Sequence, residues 1–299
     1  MAMFKRIVFF LLINLAVIAV IMTVTSVFGL DVLYLKSYGL DLKALAILSL
    51  LYGFAGAFIS LLISKKIAKW SHHITPIEEN TSDPTEQWLF ITVKNLANEA
   101  GIGMPEVGIY DSSEVNAFAT GAFRNSALVA VSRGLLDTMD REEVEGVLAH
   151  EVAHIQNGDM VTMTLLQGVL NAFVIFFARV AAYGVQKALG RDNESIGGLA
   201  YWVTSILFEI LFGILAMVVL MAFSRWREFG ADAGGARLAG PQKMIKALRK
   251  LQKTTEMINT KDTGLAAMKI SGKKSRGFLR FWASHPPLED RIAALEGRV

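Results

Sequence analysis

The 299-residue chain contains no cysteine. That excludes a disulfide framework and any metal site built on thiolates. Charge is sparse too: Asp, Glu, Lys and Arg make up 19% of the residues against 53% hydrophobic, and mean hydropathy is +0.42. A balance of this kind belongs to membrane proteins. There is no low-complexity tract and no internal repeat, and the missing repeat argues against a transporter built from duplicated halves. The net charge is only +3, which gives no basis for a nucleic-acid partner.

What is present is apolar and long. Four windows, 7–28, 45–63, 161–182 and 200–223, are apolar over the roughly twenty residues that a helix needs to cross hydrocarbon. The first is too long for a signal-peptide core and is expected to be a retained span. Lys5 and Arg6 precede it, Lys65, Lys66 and Lys69 follow the second window, and Arg225 and Arg227 follow the fourth. With four spans, all three basic clusters share one side, and the positive-inside rule makes that side cytoplasmic. The loops 29–44 and 183–199 are nearly charge-balanced and fit the outer face.

The polar remainder falls into two pieces, neither large enough to bury much core alone. The expected organisation is therefore two transmembrane helices over 1–70, half of a soluble domain over 71–159, two further transmembrane helices over 160–224, and the second half over 225–299. In the first half, "TPIEENTSDPTEQW" reads as a linker and "EQWLFITVKNLANEAG" as an amphipathic helix. The runs "EVGIYD", "NAFATG" and "ALVAVS" read as short strands. A further helix opens at Asp140, with Glu143 placed for a capping box, and stops at Gly158.

That last helix carries "HEVAH". Residues four apart share a helix face, so His150 and His154 can offer two imidazole nitrogens to one zinc ion, with Glu151 beside the open position. Zinc acidifies a bound water, and a glutamate so placed takes its proton and passes it to a leaving amine. A third protein ligand is required. The pattern HExxHxxGxxH is excluded, because Asn157 and Met160 stand where it needs glycine and histidine. A glutamate at the same membrane depth as HEVAH is the other solution. Glu228, just past the fourth window, meets that condition, whereas Glu209 lies nineteen residues earlier, about 28 Å away along a helix. Asp232, four residues after Glu228, is placed to accept the second N–H of a liganding imidazole. Taken alone, the Glu228 and Asp232 pair also fits a solvated helix face.

The motifs "NAFATG", "HEVAHIQNGD", "REFGADAGG" and "SHPPLEDR", with their flanking apolar runs, resemble the HtpX family of bacterial inner-membrane zinc metalloproteases, relatives of the CAAX prenyl endoprotease. The resemblance covers essentially the whole chain. It implies a mainly α membrane protein with four transmembrane helices and a zincin-like α+β metalloprotease domain split around the last two. It also implies His150, His154 and Glu228 as ligands of one zinc per chain, Glu151 as base and Asp232 as support for a ligand. The implied work is quality control under stress, cutting misfolded or surplus membrane proteins at the cytoplasmic face of the inner membrane. Protein substrates and the lipid bilayer are the expected partners, and oligomeric state is left open. In relatives the histidine-proline motif is often followed by serine or threonine, where this chain has Pro287. A catalytically silent zinc-binding chaperone or adaptor is the alternative; an intact Glu151 argues against it.

Three further groups complete the expectations. The strand around Asn116, Ala117, Phe118 and Ala119 is either a buried hairpin or, as the resemblance implies, a substrate-binding edge with Asn116 holding a substrate amide or carbonyl. His285 and Arg291 are either loop residues or, by the same resemblance, donors to the oxyanion. Among the apolar windows, Gln167, Asn171 and Arg179 should face the bundle interior, with Glu209 as partner for Arg179. His72 and His73 read as surface residues, and Lys273, Lys274, Arg276 and Arg280 as a solvated loop.

Overall fold

The computed structural model describes residues 41–188, 194–261 and 285–297. The first apolar window and the basic stretch from Lys273 to Arg280 lie outside the described residues. The chain divides into two compact units, with breaks after Ser60, Met163 and Val219.

The described helical residues of the first unit belong to long apolar helices, each with one end in the second unit. Helix α1 is Leu42–Ser71, α5 is Asp159–Ala188 and α6 is Glu194–Ala239. Among the described residues these three are long and apolar enough to cross a membrane, with mean hydropathies of 2.2, 1.9 and 2.7 over their apolar windows. Large side chains such as Leu50, Phe173, Leu207 and Leu211 are exposed on them, as lipid-facing positions would be. Within this unit Arg179 pairs with Glu209 and lies 5.5 Å from the centroid of the Trp202 ring. The pair neutralises two charges that hydrocarbon would otherwise expel, and it links α5 to α6. Gln167, by contrast, is exposed among the described residues, and Asn171 is half-buried.

The second unit is a small mixed sheet covered by helices. The segment read as a linker holds a two-residue strand β1, Thr75–Pro76, antiparallel to β2, Glu106–Tyr110. Helix α2, Pro84–Ala100, starts at Asp83, whose carboxylate accepts from the amides of Thr85 and Glu86. Strand β4, Leu128–Ser132, runs parallel to β2, while β3, Ala117–Thr120, is antiparallel to β4, so the order is β1-β2-β4-β3. The parallel β2–β4 pair needs a crossover, and the chain makes it through β3, which turns back at the 3-10 turn Arg124–Ser126.

Ser132 caps the short helix α3, Arg133–Thr138, and a capping box between Asp140 and Glu143 opens α4, Arg141–Asn157. Leu148, Val152 and Ile155 of α4 join Leu89 and Val93 of α2 and Val129 and Val131 of β4 in one fully buried core. Helix α7, Pro241–Lys261, packs on α4, and α8, Leu288–Glu296, packs on α7 through Met244, Leu248, Ile292 and Leu295. His72 is half-buried rather than free at the surface, because its ring stands 5.4 Å from those of both Tyr110 and Phe118.

Candidate metal centre

Helix α4 is buried along the face that carries His150 and His154, and their Nε2 atoms lie 3.1 Å apart. Two ring nitrogens at that distance cannot both carry protons. Each Nδ1 is held from behind by a carboxylate: Asp232 Oδ1 at 3.0 Å for His150, and Asp159 Oδ2 at 2.5 Å for His154. A ring that donates from Nδ1 keeps its Nε2 lone pair free, so the two Asp residues fix the tautomer that a metal requires.

Glu228 closes the triangle. Its Oε2 is 3.6 Å from His150 Nε2 and its Oε1 is 3.4 Å from His154 Nε2. Tetrahedral ligands at zinc distances of about 2.0–2.1 Å are separated by about 3.4 Å. The three edges therefore fit one such ion, and these are the three residues whose ligand atoms cluster among the described residues. Burial opposes charge on His150, but hydrogen bonds to Asp232 and Glu228 outweigh it and push the metal-free imidazole up to about 9. Burial likewise opposes charge on His154, and Asp159 and Glu228 overcome it, raising its pKa. Both histidines thus stand in a strongly cation-attracting field.

The close approach of α6 to α4 has a cause in "ADAGG". A Cβ on Gly234 would stand 2.7 Å from Ala153 Cβ, and one on Gly235 would stand 3.0 Å from the His150 amide nitrogen. Any side chain there would push away the helix that carries Glu228 and Asp232. Arg291 of α8 is buried with its guanidinium clamped on Asp232: Nε donates to Oδ2 at 2.7 Å and Nη2 to Oδ1 at 2.6 Å. Its Nη1 is 3.4 Å from Glu228 Oε2. This forked arrangement holds Asp232 behind His150 and leaves the guanidinium beside Glu228 on the cavity wall. His285 is exposed and reaches Glu228 Oε2 with Nδ1 at 2.8 Å.

Glu151 is half-buried and lines a cavity with His150, Glu228, His285, Arg291 and Asn116. Apolar side chains from Leu135, Val147 and Leu251 form another wall of the same cavity. Asn116 is exposed; its carbonyl accepts from the Ser132 amide at 2.9 Å. That bond makes 116 and 132 a hydrogen-bonded pair, so by ladder alternation the amides and carbonyls of Ala117 and Ala119 point to the edge of β3 that pairs with no other strand among the described residues. Phe118 turns its ring to the opposite face, against Tyr110. Reading the sequence missed Asp159, although its place directly after the Gly158 stop, five residues beyond His154, was a usable signal. It also missed Arg227, whose Nη2 comes within 3.5 Å of Glu228 Oε1 and whose Nη1 is 3.8 Å from Asp159 Oδ2.

The comparisons with known proteins agree with this chemistry. The model of peptidase family M48 matches residues 83–299. The chain is 54% identical over 292 residues to the protease HtpX homolog of Janthinobacterium sp. (strain Marseille), covering 97% of this chain and 98% of that one. It is 52% identical over 293 residues to protease HtpX of Thioalkalivibrio sulfidiphilus (strain HL-EbGR7), covering 98% of each. The crystal structure of S. mikatae Ste24p shares the fold, with a TM-score of 0.67 at 19% identity; the match covers 99% of this chain and 65% of that one. Full-length identity above one half, a family model spanning most of the chain, and a buried His-His-Glu cluster beside a glutamate lead to one conclusion: the chain belongs to peptidase family M48, as a metalloendopeptidase of the HtpX group.

Proposed function

We propose that the chain is a zinc-dependent, membrane-integrated endopeptidase that cuts misfolded or surplus membrane proteins at the cytoplasmic face of a bacterial inner membrane. In this reading it crosses the membrane four times, and a zincin-like domain is split around the last two crossings. The observation that carries the reading is the triangle of His150 Nε2, His154 Nε2 and Glu228, beside which Glu151, Asn116 and Ala117 line one cavity.

Bound by that triangle, zinc would polarise the scissile carbonyl and acidify a water. The chain's own residues do the rest. Ala117 and Ala119 pair with an extended substrate, Asn116 holds its backbone, and Leu135, Val147 and Leu251 exclude water around an apolar side chain. Glu151 takes a proton and returns it to the leaving amine. His285 donates toward the developing negative charge. Arg291 acts one step back, fixing Asp232 and Glu228.

Asp159 and Asp232 hold the two imidazoles in the ligating tautomer. Asp159→Asn and Asp232→Asn are each expected to weaken zinc binding by about 10–100-fold, read by competition with a chromophoric chelator. Unchanged affinity in both would reduce them to ordinary ion-pair residues.

The cytoplasmic assignment rests on the basic residues Lys65, Lys66, Lys69, Arg225 and Arg227 that follow two apolar runs. Asn193, outside the described residues, falls between the last two runs. In this cysteine-free chain, Asn193→Cys should react in intact cells with a thiol reagent that cannot cross membranes. A cysteine at exposed Lys253 should react only after the inner face is opened. The reverse pattern would turn the active site outward and overturn the assignment.

A further inference from the structure

The turn that follows β3 exposes a phenylalanine where nothing in the catalytic machinery uses it. Phe123 is 65% exposed, and Arg124 beside it is exposed too. The neighbours of this turn give its location. On one side, Lys65 donates from Nζ to the Ser126 carbonyl at 3.1 Å. Lys65 is the first charge after the apolar run 45–63 of α1, and Leu62, three residues earlier, is 59% exposed. On the other side, the Arg124 guanidinium lies over Gly158, with Nη2 3.5 Å from where a Cβ would stand. Gly158 is the residue before α5, where the next apolar helix begins. The turn is therefore held at the level at which one apolar helix ends and another starts.

We propose that residues 121–126 form a contact with the lipid interface: Phe123 enters the boundary between headgroups and acyl chains, and Arg124 lies at the depth of the phosphates. Aromatic rings settle at that boundary, and a cation beside one meets an anionic headgroup. Arg124 has no acidic partner among the described residues, so its charge is available for that purpose. The turn is continuous with β3, whose first residue, Ala117, lines the active-site cavity. Anchoring it keeps that strand at the bilayer surface, where a substrate segment leaving the membrane is extended and unpaired. The inference deepens the proposed function and rests on the reading that α1 crosses a membrane.

The chain has no native cysteine, so single nitroxide labels can be placed on the full-length protein in phospholipid vesicles. Labels at Leu62→Cys, Phe123→Cys and Lys253→Cys are compared by collision with oxygen, which concentrates in lipid, and with a water-soluble nickel chelate. The expected result is that 62 and 123 favour oxygen, with 123 shallower, while 253 favours nickel. A label at 123 that behaves like 253 overturns the inference alone. One shielded from both reagents also overturns it, since the turn would then meet protein, a second copy or another part of this chain. A label at 62 that favours nickel overturns both the inference and the membrane reading beneath it. As a functional arm, Phe123→Ser should keep full cleavage of an unfolded soluble protein and show a several-fold loss on a single-span substrate in the same vesicles, with Phe123→Trp restoring it. Equal loss on both substrates would mark a folding defect and count against the anchor.

Discussion

Glu151→Gln should retain zinc and fold while peptide-bond cleavage falls by about 10²–10⁴-fold, the usual contribution of a positioned base. The expectation follows from how the carboxylates around the site are committed. Asp159 is bound to His154, and Asp232 to His150 and Arg291. Glu228 faces His150, His154, His285 and Arg291. The carboxylates lining the cavity are those of Glu151 and Glu228, and among the described residues Glu151 forms no ion pair. Glutamine has the same shape and can still accept a hydrogen bond, but it cannot take a proton. Zinc content by metal analysis and turnover on an unfolded protein separate the two effects; undiminished turnover would remove Glu151 from the mechanism.

Glu228→Ala carries the second large effect, on metal and fold together. The side chain is 1% exposed and is surrounded by two imidazoles, an exposed histidine and the guanidinium groups of Arg291 and Arg227. Removing it leaves buried positive groups facing one another, and breaking a buried pair in this way costs about 3–5 kcal/mol. The variant should fail to hold zinc and should melt well below the parent. Glu228→Gln separates the causes, since it keeps the volume and loses the charge. Glu209→Ala, within the apolar helices, should leave zinc binding unchanged, because Glu209 is paired with Arg179. Zinc retained in Glu228→Ala and lost in Glu209→Ala would mean that the third ligand has been assigned wrongly.

Much of this was legible in the chain, and the reason is local. The HEVAH helix announces itself through signals within a few residues: the Asp140 and Glu143 capping box, two histidines four apart, and the Gly158 stop. The short runs around Val107, Ala119 and Val129 are legible from composition within a few residues and emerge as β2, β3 and β4. Depth in the membrane, counted along a helix, was enough to prefer Glu228 to Glu209. What the sequence did not reveal depends on contacts between distant segments. Pairing Arg291 with Asp232 joins residues 59 apart, and nothing local distinguishes an arginine that clamps a carboxylate from one that awaits an oxyanion. The parallel pairing of β2 with β4, and hence the free edge of β3, is equally a matter of tertiary order. Gly234 and Gly235 look like helix-weakening residues until Ala153 and His150 are found against them.

If His150 and His154 from one piece of chain and Glu228 from another hold the zinc that peptide-bond cleavage requires, activity must follow zinc content. The most direct measurement is cleavage of an unfolded protein by the full-length chain, purified in mild detergent, stripped with a chelator and titrated with zinc. Stripping should abolish cleavage, and activity should return in proportion to added zinc, reaching a plateau at one equivalent per chain. Cleavage that persists in stripped protein, or a plateau that shows no relation to one bound zinc, would contradict it.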